Sequence, residues 1–266
     1  MRCLDLRFTR RTGRHRHTLA RVEAIPLFPL GTVLFPGVVL PLHVFEPRYR
    51  ALTRLLMEAP EGPGREFGVV SIKQGWEVGV DGVKALYDVG CTAELRQVAA
   101  YPDGRYDIVS VGRRRFRLHD LDTTSAPYPF GEVEWLPDEP YELAEATLLS
   151  VSVAEVFQRY VALIASVTET QRDEDLPPQP EHIELRSAAG ATALKLPAEP
   201  TTLSHLVAAS APLPQRDRQD LLAEVSTIAR LRRELRLLLK REATMLRRLR
   251  AVPVPLAELR APLSLN

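Results

Sequence analysis

Between Gly37 and Phe45 the sequence GVVLPLHVF places Val38, Leu40, Leu42 and Val44 on one face at period two. Val39, Pro41, His43 and Phe45 fall on the other face. Runs of β-branched and aromatic residues bounded by Gly and Pro read as strands. Both faces here are largely apolar, so the pattern predicts a strand covered on both sides, with Pro41 at an edge or a bulge. GTVLF, from Gly31 to Phe35, reads as a strand before it.

The pattern then changes period. EPRYRALTRLLMEA predicts a helix that starts at Pro47, with Tyr49, Leu52, Leu55 and Leu56 as its apolar face, and EGPG ends it. Further strands are expected over Phe67–Ile72, Ala85–Tyr87, Cys91–Ala100, Tyr106–Leu118 and Gly131–Leu136. The YPDG sequence at 101–104 signals a hairpin turn, and Gly112 within YDIVSVGRRRFRL signals a bulge. From about Glu142 to Thr168 apolar residues recur three and four apart. A polar, proline-rich connector, QRDEDLPPQPEH, follows. Thr201 and Thr202 are candidate caps for a helix over LSHLVAAS, and PQRDRQDLLAEV reads as another helix. The longest helix is expected over 226–249, with Ile228, Leu231, Leu235, Leu238, Met245 and Leu249 as a heptad-like seam.

Strands first and helices second predict an α+β protein with segregated parts. The boundaries expected are a disordered basic arm at 1–22, a β part at 23–138, a helical part at 139–250 and a flexible tail at 251–266.

Ala24 to Phe45 carries no Asp, Glu, Lys or Arg and is long enough for a membrane span. Pro26, Pro29, Pro36 and Pro41 would each remove a backbone donor from such a helix, so a soluble sheet is expected instead. The basic start before an apolar run has the order of a signal peptide, but the run is too proline-rich and no small-x-small cleavage site follows it. A cytoplasmic protein is expected. The two cysteines, Cys3 and Cys91, form neither a disulfide framework nor a zinc site.

Composition adds little to this. A hydrophobic fraction of 45% and a charged fraction of 26% are ordinary, and the net charge of +1 excludes no partner class. The charge distribution is more informative: the first 21 residues and the last long helix are basic, and the middle is acidic.

PLFPLGTVLFPGVVLPLHVFEPRYRAL closely resembles the opening signature of the Lon protease N-terminal (substrate-binding) domain family. The resemblance continues through EFGVV, DVGCTAELRQV, the Gly-x-x-Arg-Phe-like YDIVSVGRRRFRL and the helical LVAASAPLPQRDRQDLLAEVSTIARLRREL, over about residues 25–250. It implies a PUA-like β pseudo-barrel followed by an α-helical bundle, and a non-catalytic role in recognising polypeptide for protein quality control. These 266 residues contain no Gly-x-x-x-x-Gly-Lys-Ser/Thr phosphate loop. Ser187 in RSAAG lies in an alanine-rich context with no evident activating base, so no catalytic residue and no cofactor is expected.

The expected partner is an unfolded or extended polypeptide segment, with a separate protease as a second candidate. Recognition is expected in a groove between barrel and bundle, helped by pairing at a strand edge. Phe35, Phe45, Arg48, Tyr49 and Trp76 are the candidate substrate-binding residues. The alternative is an RNA- or DNA-binding protein. In that reading Arg113, Arg115 and Arg117 share one strand face and the basic last helix adds to it. His43, His15 and His17 lack further ligands in the pattern, so no metal site is expected.

Overall fold

The structure is a computed structural model that describes residues 22–60, 62–75, 83–172 and 196–251. Six strands form one sheet: β1 (Val22–Leu30), β2 (Val39–Val44), β3 (Glu66–Gly75), β4 (Val83–Ala100), β5 (Tyr106–Asp122) and β6 (Phe130–Trp135). The described residues also form five α-helices: α1 (Pro47–Glu58), α2 (Leu143–Arg172), α3 (Pro200–Ser210), α4 (Gln215–Ala223) and α5 (Thr227–Ala251). The fold is α+β, with the strands ahead of all helices but α1.

The sheet order is β2-β5-β4-β3-β1-β6, and a further β5–β6 pairing closes β5, β4, β3, β1 and β6 into a ring. Long strands make this closure possible. The first half of β5 pairs with β2 and its second half with β6. β1 is divided in the same way, since Val22–Pro26 pairs with β6 and Leu27–Leu30 runs parallel to β3. Each half of β1 is therefore bonded on one side only, which lets Pro26 and Pro29 sit in a strand without costing ladder bonds. The strand expected at Gly31–Phe35 is instead irregular loop, because the pairing ends at Leu30.

The ring interior is small. Leu27, Val70, Phe116 and Val133 fill it and are fully buried. Gly90 leaves room for the Phe116 ring, for a Cβ there would lie 2.4 Å from Phe116 Cζ and 2.5 Å from the Val69 carbonyl oxygen. A second, larger cluster runs without a break from Phe35, Tyr49 and Phe67 to Phe157, Leu203, Leu231 and Leu238. The sheet and the helices therefore share one core, although they are separate in sequence.

Polar side chains seat α4 on the strands. Gln219 Nε2 donates to the Val89 carbonyl at 2.6 Å, Gln215 Nε2 to Ser71 Oγ at 2.6 Å, and Arg218 to the Val33 carbonyl at 3.1 Å. These bonds satisfy a β4 carbonyl, a β3 serine hydroxyl and a loop carbonyl beneath the helix.

Several local expectations change. Helix α3 is capped by Glu199, whose carboxylate accepts from the Thr201 and Thr202 amides; the two threonines lie in the first turn behind Pro200. In α1, Leu55 is exposed while Tyr49, Leu52 and Leu56 are buried. Leu143–Ala165 is long and apolar enough to cross a membrane by length and composition alone, and Leu148 and Val151 lie exposed on it.

Candidate functional site

Strand β2 is an edge. Among the described residues its one pairing is with β5, from Val39↔Val111 to Val44↔Tyr106. Leu40 and Val44 turn into the core, but Val39 is 58% exposed, Phe45 48% exposed, and Pro41 and His43 between them also face solvent. The expectation of cover on both faces is thus wrong for the Val39–Phe45 face. Alternation shows that two faces are apolar, and only the third dimension shows that none of the described elements lies over one of them.

Where β2 meets α1 a groove of about 220 Å³ opens, lined by Phe28, Leu42, His43, Phe45, Glu46 and Tyr49 among others. At its floor Tyr49 stacks on Phe28 at 3.9 Å between centroids and 11° between planes. Arg48 lies over the outer side of Tyr49, 4.5 Å from its centroid, and pairs with Glu46 at 3.0 Å. Glu46 precedes the helix but makes no side-chain cap bond, so this ion pair is its role. On the far side, His43 Nδ1 and Asp107 Oδ1 are 2.6 Å apart, and Tyr101 donates to the other oxygen of Asp107. The Tyr101 and His43 contacts hold the Asp107 carboxyl below its usual range. The groove is therefore an apolar slot with a charged, hydrogen-bonded rim.

Of the five residues proposed for substrate binding, Phe45 and Tyr49 line this groove and Arg48 braces it. Phe35 does not belong to it: the side chain is fully buried in the shared core. Trp76 lies outside the described residues.

The arginine set is divided differently from the expectation. From the Ala93↔Gly112 pair to Cys91↔Arg115, β4 advances two residues while β5 advances three. That bulge shifts the side-chain alternation. Arg113, Arg114 and Arg117 are exposed, whereas Arg115 is buried, so Arg113, Arg115 and Arg117 do not share a face. Arg115 donates to the carbonyls of Leu222 and Glu224 at 2.7 and 2.6 Å and to Asp138 at 2.9 Å. Arg230, one of the basic residues of the last helix, is fully buried and joins the same carboxylate at 2.7 Å. Burial alone would raise the Asp138 carboxyl, but the nearby His205, Arg230 and Arg115 hold it well below its usual range. His205 Nε2 lies 3.7 Å from Asp138, and burial pushes the imidazole down to about 4, so it is neutral.

Beside this cluster a second cleft, of about 330 Å³, separates strands from helices and is lined by Arg113, Arg114, Trp135, Thr201 and His205 among others. Arg114 stacks over Trp135 at 3.7 Å. The two exposed arginines that line the cleft are already matched, Arg113 to Glu94 at 2.7 Å and Arg114 to Glu66 at 3.3 Å. Nothing in the sequence pattern marked Asp138, His205 or Arg230 as partners. Among the described residues no group of three or more His, Cys, Asp or Glu side chains is placed to hold a metal.

Residues 24–240 match the model of the ATP-dependent protease La (LON) substrate-binding domain. The chain belongs to the Lon substrate-binding domain family. Among curated relatives, the Lon protease of Porphyromonas gingivalis is 36% identical over 117 residues, 44% of this chain and 13% of that protein. Lon protease 2 of Myxococcus xanthus is 27% identical over 81% of this chain and 23% of its own length. Protein cereblon of Danio rerio is 30% identical over 47% of this chain and 28% of its own. The chain thus spans less than a third of each of these relatives.

Solved structures agree on the fold. A Lon N-terminal domain protein from Xanthomonas campestris superposes with a TM-score of 0.53 at 26% identity, over 80% of this chain and 97% of that one. The N-terminal domain of Mycobacterium avium complex Lon protease gives 0.55 at 15% identity, over 81% and 98%. In this Lon substrate-binding domain the β2–α1 groove and the strand–helix cleft are two concave candidates among the described residues.

Proposed function

We propose that this Lon substrate-binding domain is a non-catalytic polypeptide-recognition module that captures extended or unfolded segments at the β2 edge. A guest strand pairs with the free main-chain groups of β2 and places an apolar side chain in the groove held by Phe45 and Tyr49. The observation that carries this reading is an exposed apolar face, Val39 to Phe45, on an edge strand that opens into a preformed groove. Such edges are normally covered or charged unless they are used. A captured segment would be handed to a protease, on a separate chain or a longer one. Cys91 is a buried free thiol, in keeping with a reducing cytoplasm.

Nucleic-acid binding is the weaker reading, because Arg113 and Arg114 spend their charge on Glu94 and Glu66 and Arg115 is buried. The two readings differ in salt dependence, since neutralising phosphates releases counterions. Fluorescence anisotropy with labelled β-casein and with a mixed-sequence oligonucleotide, each at two salt concentrations, separates them. The expected result is casein binding that changes little with salt and falls in Phe45→Ala. Salt-sensitive oligonucleotide binding without casein binding refutes the proposal.

A further inference from the structure

The direction of each amide along β2 follows from its pairing. Gly112 N donates to the Val38 carbonyl, so β5 turns its main chain toward β2 at alternate residues: Gly112, Ser110, Ile108 and Tyr106. Opposite the last three are Leu40, Leu42 and Val44, whose amides bond to β5. Val39, Pro41 and His43 therefore direct their main-chain groups away from the sheet, to the side a guest strand would take. Proline has no N–H, and at this position its absence costs the sheet nothing. It leaves the free edge with donors at Val39 and His43 and none between them. Carbonyl acceptors remain at all three.

We propose that Pro41 tunes the β2 edge: a strand added there is one main-chain hydrogen bond short at its centre, is held at Val39 and His43, and is released readily. The inference rests on the groove reading above and adds a specificity-determining residue to it. It does not depend on guest direction, because parallel and antiparallel guests both need that central donor. The same gap keeps two copies of the chain from zipping together through an apolar edge, the usual hazard of such strands. A recognition module for many unfolded sequences needs both properties.

Two variants that restore only the missing donor, Pro41→Val and Pro41→Ala, test this, with Val39→Pro as the opposite change. The added N–H faces away from β5, so the Leu40–Ser110 and Leu42–Ile108 pairs are undisturbed. Labelled β-casein is the probe, with Kd from anisotropy, release rate by stopped flow and self-association by sedimentation velocity. One net hydrogen bond corresponds to about five-fold in affinity. The expected result is about five-fold tighter binding and slower release in both Pro41 variants, weaker binding in Val39→Pro, and self-association when Pro41 is replaced. Pro41 variants that bind casein as the wild type does, while Phe45→Ala fails to bind, overturn this inference and leave the groove reading standing. Casein binding unaffected by Phe45→Ala and Val39→Pro alike removes both. Self-association without tighter casein binding also overturns the tuning role, leaving Pro41 only a guard against copies of the chain.

Discussion

Arg115 of β5 and Arg230 of α5 donate to the same carboxylate oxygen, Asp138 Oδ1, at 2.9 and 2.7 Å. Both also donate to the Glu224 carbonyl, at 2.6 and 2.8 Å. Asp138 lies in the connection from β6 to α2, so one side chain holds β5, the bundle and the linker together. Two guanidiniums removed from water depend on it.

Replacing Asp138 with Ala leaves both of those charges buried without their anion. Breaking a buried ion pair from one side costs about 3–5 kcal/mol. Asp138→Ala is expected to lower the unfolding free energy by about that amount in a urea titration. Loss of the single Arg114–Glu66 surface pair in Glu66→Gln is expected to cost less than about 1 kcal/mol.

His205 makes stability depend on pH in the acid range. Its pKa is near 4 when folded and 6.5 ordinarily, so between these values the unfolded chain binds the extra proton. Stability is full above about 6.5 and declines as pH falls toward 4, by about 3 kcal/mol in all. Denaturant titrations from pH 7 to pH 4 should show this decline, and His205→Gln should flatten it. Asp138, held lower still, contributes its own loss only at more acidic pH.

Glu234 acts in the opposite direction. Its side chain is fully buried on α5 and desolvation raises its pKa well above 4.5, so the folded protein keeps a proton that the unfolded chain loses. Stability therefore falls as pH rises above the ordinary value, by about 1.4 kcal/mol per pH unit until the folded pKa is reached. Glu234→Gln keeps the shape without the titration. It should gain on the wild type in thermal melts as pH rises above 5, and a gain that does not change with pH would refute the assignment.

Gly112 sits where the β5 bulge meets the loop before β2. A Cβ there would lie 2.1 Å from the Phe35 carbonyl oxygen, while the glycine's own N–H and C=O bond to Val38 and Gly37. Gly112→Ala must push that loop away, at an expected cost of about 1–3 kcal/mol. Chemical denaturation measures it, and groove affinity should fall with it because Phe35 and β2 belong to the same loop–strand unit.

Much of the fold was legible because it is encoded locally. The strand runs over Phe67–Ile72 and Tyr106–Leu118, Pro47 at the start of α1 and the leucine seam of α5 each express preferences of their own segment. The Gly112 bulge was legible for the same reason. Phe45 and Tyr49 flank one strand-to-helix junction and line the groove there, between β2 and α1, whereas the groove was expected between barrel and bundle. Phe35, in the same apolar run, was assigned to it wrongly because a run of apolar residues does not reveal which ones lie inside.

By itself the sequence determined the order of strands and helices, the opening signature and the presence of apolar residues on both faces of Val39–Val44. Only the tertiary structure decided that β2 is an edge, that Arg115 and Arg230 turn inward to Asp138, and that strands and helices share a core. Periodicity records how a segment divides its own faces. Which face is covered, and which charge meets which, depends on residues about a hundred positions away, such as Arg115 and Leu222.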